Sequence, residues 1–114
     1  MDLHEIYGQY EKNFNNNILP YIKCNKCSYK FYYPRDMCPE CGSNNLSIEK
    51  SNGNGKIYSY TISSKTIWSI IEMDEGFKLY ANITNSGTVD INKKITIVFI
   101  NRNNRILPYG EIQN

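Results

Sequence analysis

All four cysteines of this chain stand in two C-x-x-C pairs, Cys24/Cys27 and Cys38/Cys41, with ten residues between the inner two. A C-x-x-C turn brings two sulfurs to one side of a tight knuckle, and two facing knuckles offer four thiolates about 2.3 Å from a zinc ion. The stretch CNKCSYKFYYPRDMCPECG therefore reads as a zinc ribbon holding one structural Zn2+. Four thiolates close the coordination shell and leave no position for a substrate, which argues against catalytic zinc. Between the pairs, Tyr29, Phe31 and Tyr33 alternate with Lys30 and Tyr32 up to Pro34, the pattern of a short hairpin strand.

Two disulfides would suit a secreted chain of this size, but residues 1–20 are charged and Asn-rich, with no apolar stretch to direct export. Rubredoxin-type iron uses similar knuckles. The short spacer, and a first knuckle followed by Ser28 rather than Gly, favour zinc over iron. Four thiolates on a divalent ion leave a formal charge of about −2, and Lys23, Lys26, Lys30 and Arg35 lie in sequence where they can offset it.

A ribbon of this length buries no core of its own and is folded by its metal, so the core must come from the rest of the 114 residues. Charge is evenly spread: six basic and six acidic side chains in residues 1–50, seven and five in residues 51–114. That balance gives no reason to expect phosphate-backbone binding, so nucleic acid is disfavoured as a partner. No apolar run reaches the roughly 18 residues that span a bilayer. The expectation is a soluble, cytoplasmic protein with no membrane partner, its thiols reduced and open to metal.

Leu3, Ile6, Tyr7, Tyr10 and Phe14 recur at helical spacing, with Asp2 as N-cap and Glu5 three residues on. This tyrosine-rich stripe is either an interface anchor or packing for the chain's own core. His4 is expected in solvent. Asn15-Asn16-Asn17 ends the helix, residues 18–23 run extended into the first knuckle, and 46–49 form a short strand. Beyond Ser51-Asn52-Gly53-Asn54-Gly55 everything reads as strand and turn. Strands are expected over 56–63, 66–73, 77–84 and 94–100, the last apolar on both faces and the most buried. Asp74-Glu75-Gly76 and Asn85-Ser86-Gly87 read as turns. An edge strand over 105–109, stopped by Pro108 and Gly110, closes the set. The domain reading is a helix over 1–17, a ribbon over 18–50 and a barrel over 51–114. The fold class is mainly β, and five short strands suit an OB (oligonucleotide/oligosaccharide-binding) barrel better than a two-sheet sandwich.

The linked pieces FYYPR (31–35), CPECGS (38–43) and GNGKIYSYT (53–61) are similar to the motifs of one family: rubredoxin-like zinc-ribbon plus OB-fold proteins associated with acyl-CoA thiolases, catalogued as a domain of unknown function. The resemblance covers most of the chain. It implies an accessory subunit of a thiolase-fold acyltransferase, one that bridges acetoacetyl-CoA thiolase and 3-hydroxy-3-methylglutaryl-CoA synthase and helps hold coenzyme A. The chain departs from the pattern at Ile91-Asn92-Lys93-Lys94, where the family has a Gly, and in lacking a Pro-rich loop after the second barrel strand.

With this resemblance, Lys30 and Arg35 become candidates to meet the anionic end of coenzyme A, Arg35 equally a balance for the thiolates. Tyr7, Tyr10, Phe14, Phe31 and Tyr32 become candidates for the partner interface, on the premise that so small a ribbon leaves its aromatics uncovered. No Ser/His/Asp or Cys/His set is available beyond the metal ligands and His4, so the chain is not expected to be an enzyme. The alternative is a single-strand nucleic-acid binder using Tyr58, Tyr60, Trp68, Phe77 and Tyr80 as stacking platforms; its weakness is the missing basic groove.

Overall fold

The computed structural model describes residues 2–84 and 89–113 of the chain; the expected turn at Asn85-Ser86-Gly87 lies outside the described residues. Helix α1 (Leu3–Asn15) begins where the capping pattern places it, with the Asp2 carboxylate accepting the Glu5 N–H at 2.8 Å. Asp2→Ala should cost about 1 kcal/mol, read as a shift in the denaturant midpoint. An unchanged midpoint would mean that tertiary packing alone fixes the helix start.

Three strands follow: β1 (Pro20–Cys24), β2 (Lys30–Phe31) and β3 (Leu46–Lys50), in sheet order β2-β1-β3. The expected hairpin strand is thus only two residues long, because the chain leaves β1 after Phe31 to reach the barrel. Strand β1 is central, and its alternation sets the architecture. Leu19 and Tyr21 face one way, into a core with Ile57, Ile71, Phe77 and Leu79. Ile22 faces the other, into a second core with Ile6, Tyr10 and Phe31. Of the two readings of the helical stripe, Ile6 and Tyr10 therefore take the core one, while Tyr7 stays exposed.

Five further strands, β4 (Asn54–Ile62), β5 (Ile67–Met73), β6 (Lys78–Asn82), β7 (Lys94–Arg102) and β8 (Arg105–Ile112), form one antiparallel sheet in the order β6-β5-β4-β7-β8. A parallel bridge from Ile83 to Gly110 joins its two edges, and Thr84 N–H donates to the Gly110 carbonyl at 2.9 Å. The result is the nearly closed five-stranded barrel expected from the strand count. The 74–76 turn also forms as expected, with Gly76 at φ 107°.

Two strand expectations need correction. Strand β7 is not the most buried: it buries Ile95 and Ile97, whereas β5 buries Ser69, Ile71 and Met73. The reason is pairing, since β7 lies beside β4 only over Lys94–Thr96 and then has β8 alone for a neighbour. Nor do Pro108 and Gly110 stop β8, which runs through both in register with Phe99 and Ile97. An edge strand tolerates a proline whose missing N–H would point away from the ladder. A Cβ on Gly110 would lie 3.0 Å from the Cδ1 atoms of both Ile71 and Ile83, so glycine is what lets β8 pass close enough to close the barrel.

Candidate metal centre and the surfaces around it

The two knuckles are built alike. In each, the residue after the second cysteine donates its N–H to the carbonyl of the first: Ser28 to Cys24 and Gly42 to Cys38, both at 2.9 Å. Both donors sit at positive φ, 67° for Ser28 and 77° for Gly42, so serine takes here the conformation that glycine usually supplies. The four sulfurs lie within 4.8 Å of one another. Cys24 and Cys41 are 3.6 Å apart, Cys27 and Cys38 3.7 Å. A tetrahedron of sulfurs about 2.3 Å from its centre has edges of about 3.8 Å, and these two spacings match it, so the donor set fits zinc. Cys24 and Cys38 are buried, and Cys27 and Cys41 face solvent.

As metal-free thiols the set is strongly coupled. The backbone N–H groups of Cys27 and Lys26 draw the Cys24 thiol down to about 6. The Tyr29 N–H also favours the Cys27 thiolate, but desolvation and the other three sulfurs outweigh it and push that thiol up to about 12. A divalent cation replaces this mutual repulsion by attraction and displaces the remaining protons.

Tyr29 and Tyr33 stay exposed, but the other aromatics of helix and ribbon, Tyr7 apart, pack inward, contrary to the premise that they are left uncovered. Tyr10 and Phe31 retain only 5% and 8% of their surface, and Phe14 and Tyr32 are half-buried. The barrel supplies the missing cover: Tyr32 stacks on Phe77, and Phe14 meets Phe99 at a tilt with centroids 5.8 Å apart. The Tyr10 hydroxyl donates to the Tyr32 carbonyl, and burial, then the neighbouring Tyr32, raises its pKa far above the ordinary tyrosine value. Of the five proposed interface aromatics, Tyr7 alone is fully exposed. A groove of about 560 Å³ runs beside it between α1 and the β7–β8 turn, lined by Phe14, Tyr32, Pro34 and Leu107, with Arg105 and Glu11 at its walls.

The Lys30 ammonium donates to the Glu75 carbonyl at 3.0 Å, which ties the ribbon to the 74–76 turn. The Glu75 carboxylate accepts from Ser51 Oγ and Asn52 N–H at 2.8 and 2.7 Å, anchoring the linker to the same turn. Spacing carried no sign of this junction, because its members lie 23 to 45 residues apart. Arg35 is exposed, and so is His4, as expected. Among the stacking candidates, Phe77 is buried and drops out; Tyr58, Trp68 and Tyr80 are exposed.

Residues 16–47 match the family of ChsH2 rubredoxin-like zinc ribbon domains. A DUF35 domain-containing scaffold protein of Methanothermobacter thermautotrophicus is 27% identical over 90 residues, 68% of either chain. The solved structure described as "Ltp2-ChsH2(DUF35) aldolase" superposes with a TM-score of 0.78 over 92% of both chains, at 19% identity. The chain is thus similar to DUF35 proteins in its ribbon motif and in its fold. A DUF35-family protein of unknown function from Sulfolobus solfataricus has the same fold, with a TM-score of 0.69 at 16% identity over 93% of this chain and 84% of its own. The zinc-ribbon match and the four close sulfurs of Cys24, Cys27, Cys38 and Cys41 are consistent with one structural zinc ion.

One expectation is overturned. The expectation is that the chain is not an enzyme, but the same fold occurs in a structure named as an aldolase, so that exclusion does not stand. Among the described residues, no helix is long and apolar enough to cross a membrane.

Proposed function

We propose that this chain is a docking subunit of a cytoplasmic thiolase-fold acyl-CoA enzyme, with 3-hydroxy-3-methylglutaryl-CoA synthase as a second partner. Cys24, Cys27, Cys38 and Cys41 hold its zinc. The observation that carries this reading is the groove between α1 and the β7–β8 turn, with exposed Tyr7 at its edge and Arg105 on its wall. An aromatic slot with Arg105 and Glu11 at its walls suits a partner's surface. The scaffold name of the archaeal relative supports a role in assembly. Arg35, free of the ribbon core, meets the anionic end of coenzyme A in this reading.

The test is affinity purification from the native cell. A thiolase-fold acyltransferase should co-purify, and Tyr7→Ser should weaken the complex about tenfold while leaving zinc content unchanged. Arg35→Gln should lower the coenzyme A retained by the complex and leave assembly intact. If no acyl-CoA enzyme is recovered, the reading fails; if retention is unchanged, only the role of Arg35 does.

A further inference from the structure

The mouth of the barrel between the β4–β5 turn (residues 63–66) and the β7–β8 turn holds a cavity of about 470 Å³. Lys65 and Arg102 line it, and none of its lining residues is a carboxylate. That sets it apart from its neighbours. The cavity lined by Lys56 and Lys94 also holds Glu72 and Asp74, and the groove beside α1 sets Glu11 against Arg105. Lys65 and Arg102, with the Ser64 hydroxyl beside them and the Ser63 and Thr66 hydroxyls paired to each other at 2.8 Å, form a donor set that suits an oxyanion. Arg102 is partly oriented already, with Nη1 donating to the Tyr109 hydroxyl at 3.4 Å.

Two further features concern the rest of the ligand. Asn82 lines the cavity, and its Oδ1 is a buried polar atom with no hydrogen-bond partner among the described residues. Buried acceptors are normally satisfied, and this one, beside the cavity, lacks a partner among the described residues. Directly opposite Asn82 across the β5–β6 pairing stands Trp68, half-exposed on the barrel surface. Indole faces of this kind stack on planar rings.

We propose that the barrel mouth binds a phosphate ester bearing an aromatic base, that is, a single nucleotide. Lys65 and Arg102 meet the phosphate, Trp68 stacks on the base, and the Asn82 amide accepts from an exocyclic N–H. The site does not depend on the docking reading, since a nucleotide can be bound by the chain alone. Free nucleotides, coenzyme A and the end of a nucleic-acid strand share this chemistry.

Trp68 is the single tryptophan, so its emission reports the site directly. Titrating the intact zinc-loaded protein with ADP should quench that emission saturably, and inorganic phosphate should compete. Lys65→Gln and Arg102→Gln should each raise the half-saturating concentration about tenfold. Lys65→Gln decides the matter if Arg102→Gln, by releasing Tyr109, lowers stability. Coenzyme A and a short oligothymidylate serve as the other arms. Quenching by coenzyme A at the ADP concentration supports the site with the coenzyme as its source, whereas tighter binding of the oligothymidylate than of ADP overturns the assignment to a single nucleotide. Absence of saturable quenching by ADP, or an unchanged midpoint in both charge variants, overturns the proposal.

Discussion

Cys24→Ser is expected to strip the zinc and unfold the ribbon. Structural zinc contributes on the order of 10–16 kcal/mol of binding free energy in small domains at neutral pH, and that binding is their folding free energy. Cys24 is fully buried at the end of β1, the central strand of its sheet, and a hydroxyl there is both a poor zinc ligand and a polar group without water. The damage should spread, because β1 also presents Tyr21 to the barrel core. Metal content and near-ultraviolet dichroism measure the two effects. One zinc per chain with a native melt in the variant would show that the other three thiols suffice.

Phe77→Ala should have the next largest effect, a loss of about 3–5 kcal/mol, a large share of the 5–15 kcal/mol typical of a domain. Phe77 is 2% exposed, stacks on Tyr21 with centroids 4.7 Å apart, and lies parallel to Tyr32 at 6.3 Å. It is the barrel side chain on which the ribbon rests, so truncation leaves a cavity walled by two aromatics from the other unit. Denaturant unfolding measures the loss. A cost below about 1 kcal/mol would mean that the ribbon sits on the barrel without load on this residue.

What was legible in the chain followed the range of the interaction. The metal knuckles are local, and a spacing of three fixes them without reference to anything distant. The same holds for the Asp2 cap and the turn at Gly76. Asn92, standing near where the family has glycine, adopts φ 68°, so a local substitute solved a local need. The failures were tertiary. Residue type cannot say whether Tyr10 or Phe31 is covered, because the covering face comes from elements elsewhere in the chain. The tie from Lys30 to the Glu75 carbonyl was not legible because the two lie 45 residues apart. Strand β7 looked deeply buried by composition, yet burial depended on how soon it parts from β4. The barrel-mouth cavity joins residues 63–66 to 100–109, and each is unremarkable on its own.

Strand β6 is an edge of the barrel sheet, and the Tyr80 N–H turns away from its neighbour β5. The Tyr33 hydroxyl accepts that N–H at 2.9 Å. Exposed strand edges are templates on which other chains add strands, and proteins protect them by covering or charging them. Here the cover is a phenol on a loop that the metal folds. The ribbon thus covers one N–H of the barrel's edge, and a ribbon that unfolds would leave that N–H open to pairing.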